Sequence, residues 1–199
     1  MDYSDAFKVL KNDQVMSFLI KRFSNEIDIT DRYNNDYAKA ISDLIIEQQI
    51  SFKAAITIKK KFNLLLTNND NLLDIPDEKI RLIGISSRKV EYIKNVHKFF
   101  ESNEHDFQKL TDDETIKILC KIKGIGSWTA EMFLIFILFR QDIFSKKDLA
   151  LINSIKINYG IKELTNKKLD KLILSWKPYN TIASLLLWKS IEEKYFYRF

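Results

Sequence analysis

Lys121-Ile122-Lys123-Gly124-Ile125-Gly126-Ser127-Trp128-Thr129-Ala130 holds two of the chain's four glycines, one residue apart, between two segments whose apolar residues recur with helical spacing. Glycine is so scarce elsewhere that a Gly-x-Gly between helices marks a backbone that turns tightly and lets something approach closely. The first four amides of the helix leaving the turn have no partner within it, and its dipole places partial positive charge at its start. The turn is therefore a natural anion site. Gly124 and Gly126, without Cβ atoms, give a phosphate access to those amides. Ile125 is placed to turn inward and pin the turn to the core, while Lys121, Lys123 and the hydroxyls of Ser127 and Thr129 supply further donors. Taken alone, the pattern leaves open the plainer reading of Gly124 as a helix C-cap.

On either side of the turn, helical spacing dominates and strict alternation is scarce, so the fold class is all-α. Asp13 is expected to cap a first helix reaching Phe23, with Val15, Phe18 and Leu19 on one face; Asp36 precedes a helix carrying Ala40, Leu44 and Ile45. Ser51 begins another, through Ile56 and Phe62. The stretch from Asn68 to Gly84, broken by Pro76, reads as short turns. Ser86 or Ser87 then caps a helix with Val90, Ile93, Val96 and Phe100 on its buried side. Asp112 or Asp113 starts the helix that enters the glycine pair, Glu114 to about Lys121, and a very apolar helix leaves it from Ser127 to about Phe139. Further helices are predicted from Asp148 to Asn158, Asn166 to Leu174, and Pro178 to about Tyr195. There is no evident internal repeat, low-complexity tract or long linker.

Composition narrows the function classes. With 199 residues, 46% of them hydrophobic, the chain can bury a substantial core as one domain or two small lobes. The net charge of +5 is compatible with an anionic partner, though abundant Lys, Asn and Ile also fit a coding bias. A single cysteine, Cys120, excludes an intramolecular disulfide; with two histidines it cannot complete a zinc site or a four-cysteine iron–sulfur cluster. Cys120 reads as core on an apolar helix face. No segment approaches eighteen uninterrupted apolar residues and the start lacks the apolar core of a signal peptide, so the expected location is cytoplasmic, without a membrane.

The segment from Leu119 to Leu138, with Gly124-Ile125-Gly126-Ser127-Trp128-Thr129-Ala130-Glu131, resembles the helix-hairpin-helix motif of the helix-hairpin-helix DNA glycosylases, specifically the 3-methyladenine DNA glycosylase II type. Three more segments resemble the family in the same order. Ile46-Glu47-Gln48-Gln49-Ile50-Ser51 is similar to its Gln-x-Val/Leu-Ser loop. Asp142-Ile143-Phe144 through Lys147-Asp148-Leu149 is similar to its aspartate segment, and Trp176-Lys177-Pro178-Tyr179 followed by Ala183 and Trp188 to its last helix. The resemblance covers roughly residues 13 to 195. It implies a compact two-lobed helical fold and a single domain over residues 1–199, with the hairpin at about 114–139. One lobe would come from the central helices and the other from the N-terminal plus C-terminal helices. The extra amino-terminal β domain of two-domain bacterial members is not expected in this chain.

The activity implied is hydrolysis of the bond between a damaged base and its deoxyribose, after the nucleotide is flipped out of double-stranded DNA. The transition state resembles an oxocarbenium ion, so a carboxylate near the sugar stabilises developing positive charge. By motif position that carboxylate is Asp148. An aspartate before Leu149, Leu151, Ile152 and Ile155 is also a good helix N-cap, and the two roles are compatible. Asp142, six residues upstream, matches a frequently acidic position of structural type. Relatives that also cut the strand carry a lysine where this chain has Trp128, because a Schiff base needs an amine; a monofunctional enzyme is implied.

Trp128 and Trp188 match positions lining an electron-rich pocket that favours alkylated, electron-poor purines, although either could be core packing. The next pocket aromatic is replaced by Met132, a departure that leaves substrate range open, with Phe133 or Tyr37 able to compensate. Gln49 falls where the family inserts a wedge into the gap left by the flipped base, or is a polar residue in a turn. Asn180 replaces a frequent arginine, so no charged contact carries over. His97 and His105 are expected on solvated surfaces, and Lys59, Lys60 and Lys61 on a solvated helix face. The resemblance implies no cofactor and no catalytic metal, and allows a monovalent cation on the backbone carbonyls of Cys120, Ile122 and Ile125. A monomer is expected. Two other readings stand beside this one: a non-catalytic helix-hairpin-helix module that binds DNA, and a glycosylase for another lesion.

Overall fold

The structure, a computed structural model, describes residues 2–69, 71–103 and 105–198. Among the described residues there are eleven α-helices, two 3-10 segments and no strand. The chain divides into two compact units, Arg32–Leu138 and Met1–Asp31 with Phe139–Phe199.

The first unit contains α3 (Tyr37–Glu47), α4 (Phe52–Thr67), α5 (Asp77–Leu82), α6 (Ser87–Ser102), α7 (Asp112–Leu119) and α8 (Ser127–Phe136). Helix α3 packs on α4, α6 and α8, and buries Ala38, Ala40, Ile41, Leu44, Ile45 and Ile46. Helix α8 pairs with α7 and is apolar on nearly every side, burying Ala130 and everything from Met132 to Phe136. A helix so apolar must be covered all round. Phe133 meets Tyr37 and Phe107 at ring-centroid distances of 5.3 and 5.5 Å, both edge to face; such pairs add about 0.5–1.5 kcal/mol beyond their buried area.

The second unit contains α1 (Ser4–Leu10), α2 (Gln14–Phe23), α9 (Leu149–Asn158), α10 (Asn166–Trp176) and α11 (Asn180–Glu192). Here α11 is the axis: it is buried continuously from Asn180 to Leu187 and packs on α2, α9 and α10. Ser190 of α11 is paired within the core. Ser190 Oγ lies 2.8 Å from Ser154 Oγ, and Asn158 Nδ2 donates to Ser190 Oγ at 3.0 Å. Asp13 joins three helices: it caps α2 through Val15 and Met16, and its other oxygen accepts from Tyr159 Oη at 2.7 Å and Trp176 Nε1 at 3.3 Å. Burial and the adjacent Asp13 charge push the Tyr159 phenol far above its ordinary range.

Asp13, Asp36, Ser51, Ser86 and Asp148 each accept a backbone N–H at the start of the following helix. Each such cap contributes about 1 kcal/mol. Several details differ from the sequence expectations. Helix α1 precedes the helix capped by Asp13, and its seven residues bury only Ala6 and Leu10, too short a signal for periodicity. Helix α5 forms within the stretch expected to hold turns, beginning just after Pro76.

The cap of α7 is Thr111 rather than either aspartate, in a capping box with Glu114. Cys120 is exposed, not core, because Thr115 and Leu119, four residues apart, take the inward face. Phe100 is half-buried at the edge of the α6 face. His97 is also half-buried, its Nε2 3.3 Å from Ser42 Oγ, and burial lowers its pKa. Lys59 is not on a solvated face: its Nζ lies 2.5 Å from Glu47 Oε1 and is 21% exposed.

Candidate DNA-binding hairpin and carboxylate site

The hairpin between α7 and α8 is closed by its own backbone, with Ile122 N–H donating to Leu119 O and Ile125 N–H to Ile122 O, each at 3.0 Å. Its two glycines differ. Gly124 has φ +105°, where side chains are strained, and a Cβ there would lie 2.2 Å from Tyr92 Cγ on α6. Gly126 is the N-cap of α8 with φ −103° and no side-chain cap, and a Cβ there meets nothing within 4 Å. Ile125 is buried at 6% exposure and pins the turn. Ser127 and Trp128, the first two residues of α8, are half-buried, whereas Met132 is buried one turn on. Lys121 and Lys123 are exposed, and Lys123 pairs with Glu91 at 2.5 Å.

Thr129, expected to donate to phosphate, is turned inward at 2% exposure, and its hydroxyl accepts from Gln48 Nε2 at 3.0 Å. That bond ties the hairpin helix to the loop after α3. In that loop Gln49 is exposed and sits at φ +58°, a left-handed conformation few non-glycine residues adopt. Gln48 lies within the segment similar to the Gln-x-Val/Leu-Ser loop, but no local pattern marks it as the partner of Thr129. Tyr92, which fixes the need for glycine at 124, likewise carries no signal in the sequence around the hairpin.

The candidate carboxylate lies in the other unit. Asp148 is the N-cap of α9, 8% exposed, and its Oδ1 accepts from Leu151 N–H at 2.9 Å and from Trp188 Nε1 at 3.2 Å. The first bond comes with the cap. The second is contributed by α11, so Trp188 serves the carboxylate as well as standing at a matched pocket position. The segment leading to Asp148 is pinned to the start of α11: Thr181 N–H donates to Gln141 O at 2.9 Å and Ile143 N–H to Thr181 Oγ1 at 3.1 Å. Asp142 accepts from Lys177 Nζ at 2.8 Å and Asn180 Nδ2 at 2.5 Å, which assigns it to that joint. Leu149, directly after Asp148, is 76% exposed.

The profile of the HhH-GPD superfamily base excision DNA repair proteins matches residues 43–178, spanning the Gln49 loop, the hairpin and Asp148. This chain belongs to that superfamily. DNA-3-methyladenine glycosylase 1 of Schizosaccharomyces pombe is 30% identical over 156 residues, covering 73% of this chain and 68% of that relative. Among solved HhH-GPD folds, the S. pombe 3-methyladenine DNA glycosylase in complex with abasic DNA has a TM-score of 0.85 at 26% identity, covering 94% of this chain and 97% of that one. The DNA-3-methyladenine glycosidase of Bacillus halodurans gives 0.73 at 32% identity, covering 94% and 90%. The HhH-GPD assignment accounts for an all-helical chain built around a glycine hairpin. Among the described residues no helix is long and apolar enough to cross a membrane.

Proposed function

We propose that this chain is a monofunctional DNA glycosylase that flips alkylated purines of the 3-methyladenine type out of duplex DNA and hydrolyses their N-glycosidic bond. The observation that carries this reading is Asp148: a nearly buried carboxylate held by a helix-start amide and an indole N–H. Held in this way, it offers negative charge to a sugar developing oxocarbenium character, and it needs no reorganisation during the reaction. Trp128 supplies an indole where Schiff-base chemistry would need an amine, so the product is an abasic site. An abasic duplex is also what the fission-yeast relative was solved with.

In the same reading, the hairpin amides of Gly124, Gly126 and Ser127 hold a phosphate, Gln49 enters the gap left by the base, and the Trp128 indole stacks on the extruded base. Gly126 supports the phosphate role, because no protein atom near it forbids a side chain. A monovalent cation on the carbonyls of Cys120, Ile122 and Ile125 fits the chemistry there. Backbone oxygens have two lone pairs, and Ile122 O has one taken by Ile125 N–H. Residues 1–199 act as one domain and as a monomer inside the cell.

The test is to incubate the protein with methylated duplex DNA and identify what is released, with borohydride present in a parallel reaction. Release of 3-methyladenine or 7-methylguanine, with no trapped protein–DNA adduct, is expected. An adduct would contradict the monofunctional mechanism, and release of no methylated purine would contradict the substrate class.

A further inference from the structure

The exposed turn at Gln49 is held from below by a lysine that neither the hairpin nor the carboxylate uses. Lys89, in the first turn of α6, extends its ammonium beneath the end of α3 and donates to Ile46 O at 2.9 Å and Gln48 O at 2.7 Å. The last carbonyls of a helix have no partner within it, so a cation there is favoured. The bond to Gln48 O does more than satisfy an orphan acceptor. That carbonyl and the Gln49 N–H belong to one rigid peptide plane. Fixing the carbonyl direction therefore restrains ψ of Gln48, at 129°, and φ of Gln49, at +58°.

A non-glycine residue in the left-handed region is disfavoured by roughly ten- to a hundredfold in population, and persists only where its surroundings over-determine it. Lys89 from α6 and Thr129 from α8 are those surroundings, one gripping the main chain and the other the Gln48 side chain. Burial lowers the Lys89 pKa, the cost of keeping an ammonium under the turn. Beside it lies a cavity of about 210 Å³ lined by Ile46, Gln48, Gln49, Ile58, Ser86 and Lys89, into which an unheld turn can relax.

We propose that Lys89 is a positioning residue for base flipping: it locks the Gln48–Gln49 peptide so that the Gln49 side chain stands preset to enter the gap in the stack. This rests on the reading of Gln49 as the wedge. Lys89 acts through Gln49 and does not touch DNA.

The experiment compares wild type, Lys89→Met, Gln49→Ala and the double variant in single-turnover excision from a methylated duplex. 2-Aminopurine beside the lesion reports flipping, and circular dichroism checks the fold. Lys89→Met is expected to slow excision about tenfold and to reduce the fluorescence rise, because loss of the clamp lets the turn leave its strained conformation. The double variant should be no slower than Gln49→Ala alone, within about twofold, since the two residues act as one unit. The slope of binding affinity against salt should stay at its wild-type value.

Wild-type excision by Lys89→Met beside a slow Gln49→Ala overturns the positioning role and leaves the wedge standing. Multiplying losses, or a salt slope smaller by about one, overturn it in favour of an independent or direct phosphate contact. Wild-type excision by Gln49→Ala removes the wedge reading and this inference with it. If Lys89→Met does not fold, Lys89→Gln, which keeps a shorter neutral donor, is put through the same cycle and judged by the same outcomes.

Discussion

At Gly124 a Cβ would collide with the Tyr92 ring at 2.2 Å and would have to adopt φ +105°, whereas at Gly126 the space around a Cβ is open. One glycine answers to the protein and the other, in the reading proposed, to the DNA. Gly124→Ala is accordingly expected to cost about 3 kcal/mol, roughly 6–12 °C in Tm, through overpacking and backbone strain. Thermal unfolding measures this, and an unchanged Tm would contradict the packing described.

Gly126→Ser should keep or slightly raise Tm, because serine caps a helix at least as well as glycine, by a few tenths of a kcal/mol. The same substitution should weaken binding to duplex DNA about tenfold by blocking close approach to the amides, and wild-type affinity would remove the hairpin from the phosphate-binding role. At the carboxylate, Trp188→Phe keeps a ring but removes the N–H on Asp148 Oδ1. Excision is expected to fall about tenfold with DNA affinity unchanged, the scale of one lost hydrogen bond to a charged group. An unaltered rate would mean that the indole does not orient the carboxylate.

At the scale of elements, the α3–α4 pair carries a polar conflict that the sequence did not disclose. Asp43 on α3 has a buried Oδ1 without a hydrogen-bond partner, and burial pushes its pKa up to about 6, against the pull of Lys59 and Lys39. A carboxyl that holds its proton more tightly folded than unfolded favours folding at low pH. That contribution is complete below the ordinary value of 3.8 and is lost as pH rises through about 6. Asp43→Asn, which cannot ionise, is therefore expected to raise Tm by a few degrees at pH 7.5 and to match wild type near pH 4. An equal effect at both pH values would show that ionisation is not the cause.

Element starts were the most legible feature of the sequence. Asp13, Asp36, Ser51 and Asp148 cap the helices assigned to them, because a short acceptor before an apolar periodic run has one good use there. The Thr111–Glu114 box was equally visible but was obscured by the aspartates between them. The conflict at Asp43 was invisible, since it depends on which side chains surround the carboxylate in the folded unit and not on any local pattern.

For the molecule as a whole, all-helical architecture was readable from periodicity, and membership of the HhH-GPD superfamily rested on four ordered segments spread along the chain. Each contains residues whose spacing is fixed locally, which is why a linear reading could find them. The long-range partnerships could not be read that way. Trp188 lies 40 positions from Asp148, Gln48 lies 81 from Thr129, and Lys89 reaches back 41 to Gln48. Only folding brings such side chains together, and these contacts are what position the candidate groups. The +5 net charge adds a diffuse attraction for an anionic duplex but no choice of lesion.

The central claim is that Asp148 carries the chemistry, and it is tested most directly by measuring base release from methylated duplex DNA by wild type and Asp148→Asn at matched DNA occupancy. Asparagine keeps the shape and an oxygen for the α9 cap while removing the charge. The account predicts that Asp148→Asn folds and binds DNA like wild type but releases alkylated purines at least a hundredfold more slowly. Release at the wild-type rate would contradict it, and absence of release by the wild-type protein itself would overturn the assignment of alkylated purines as its substrates.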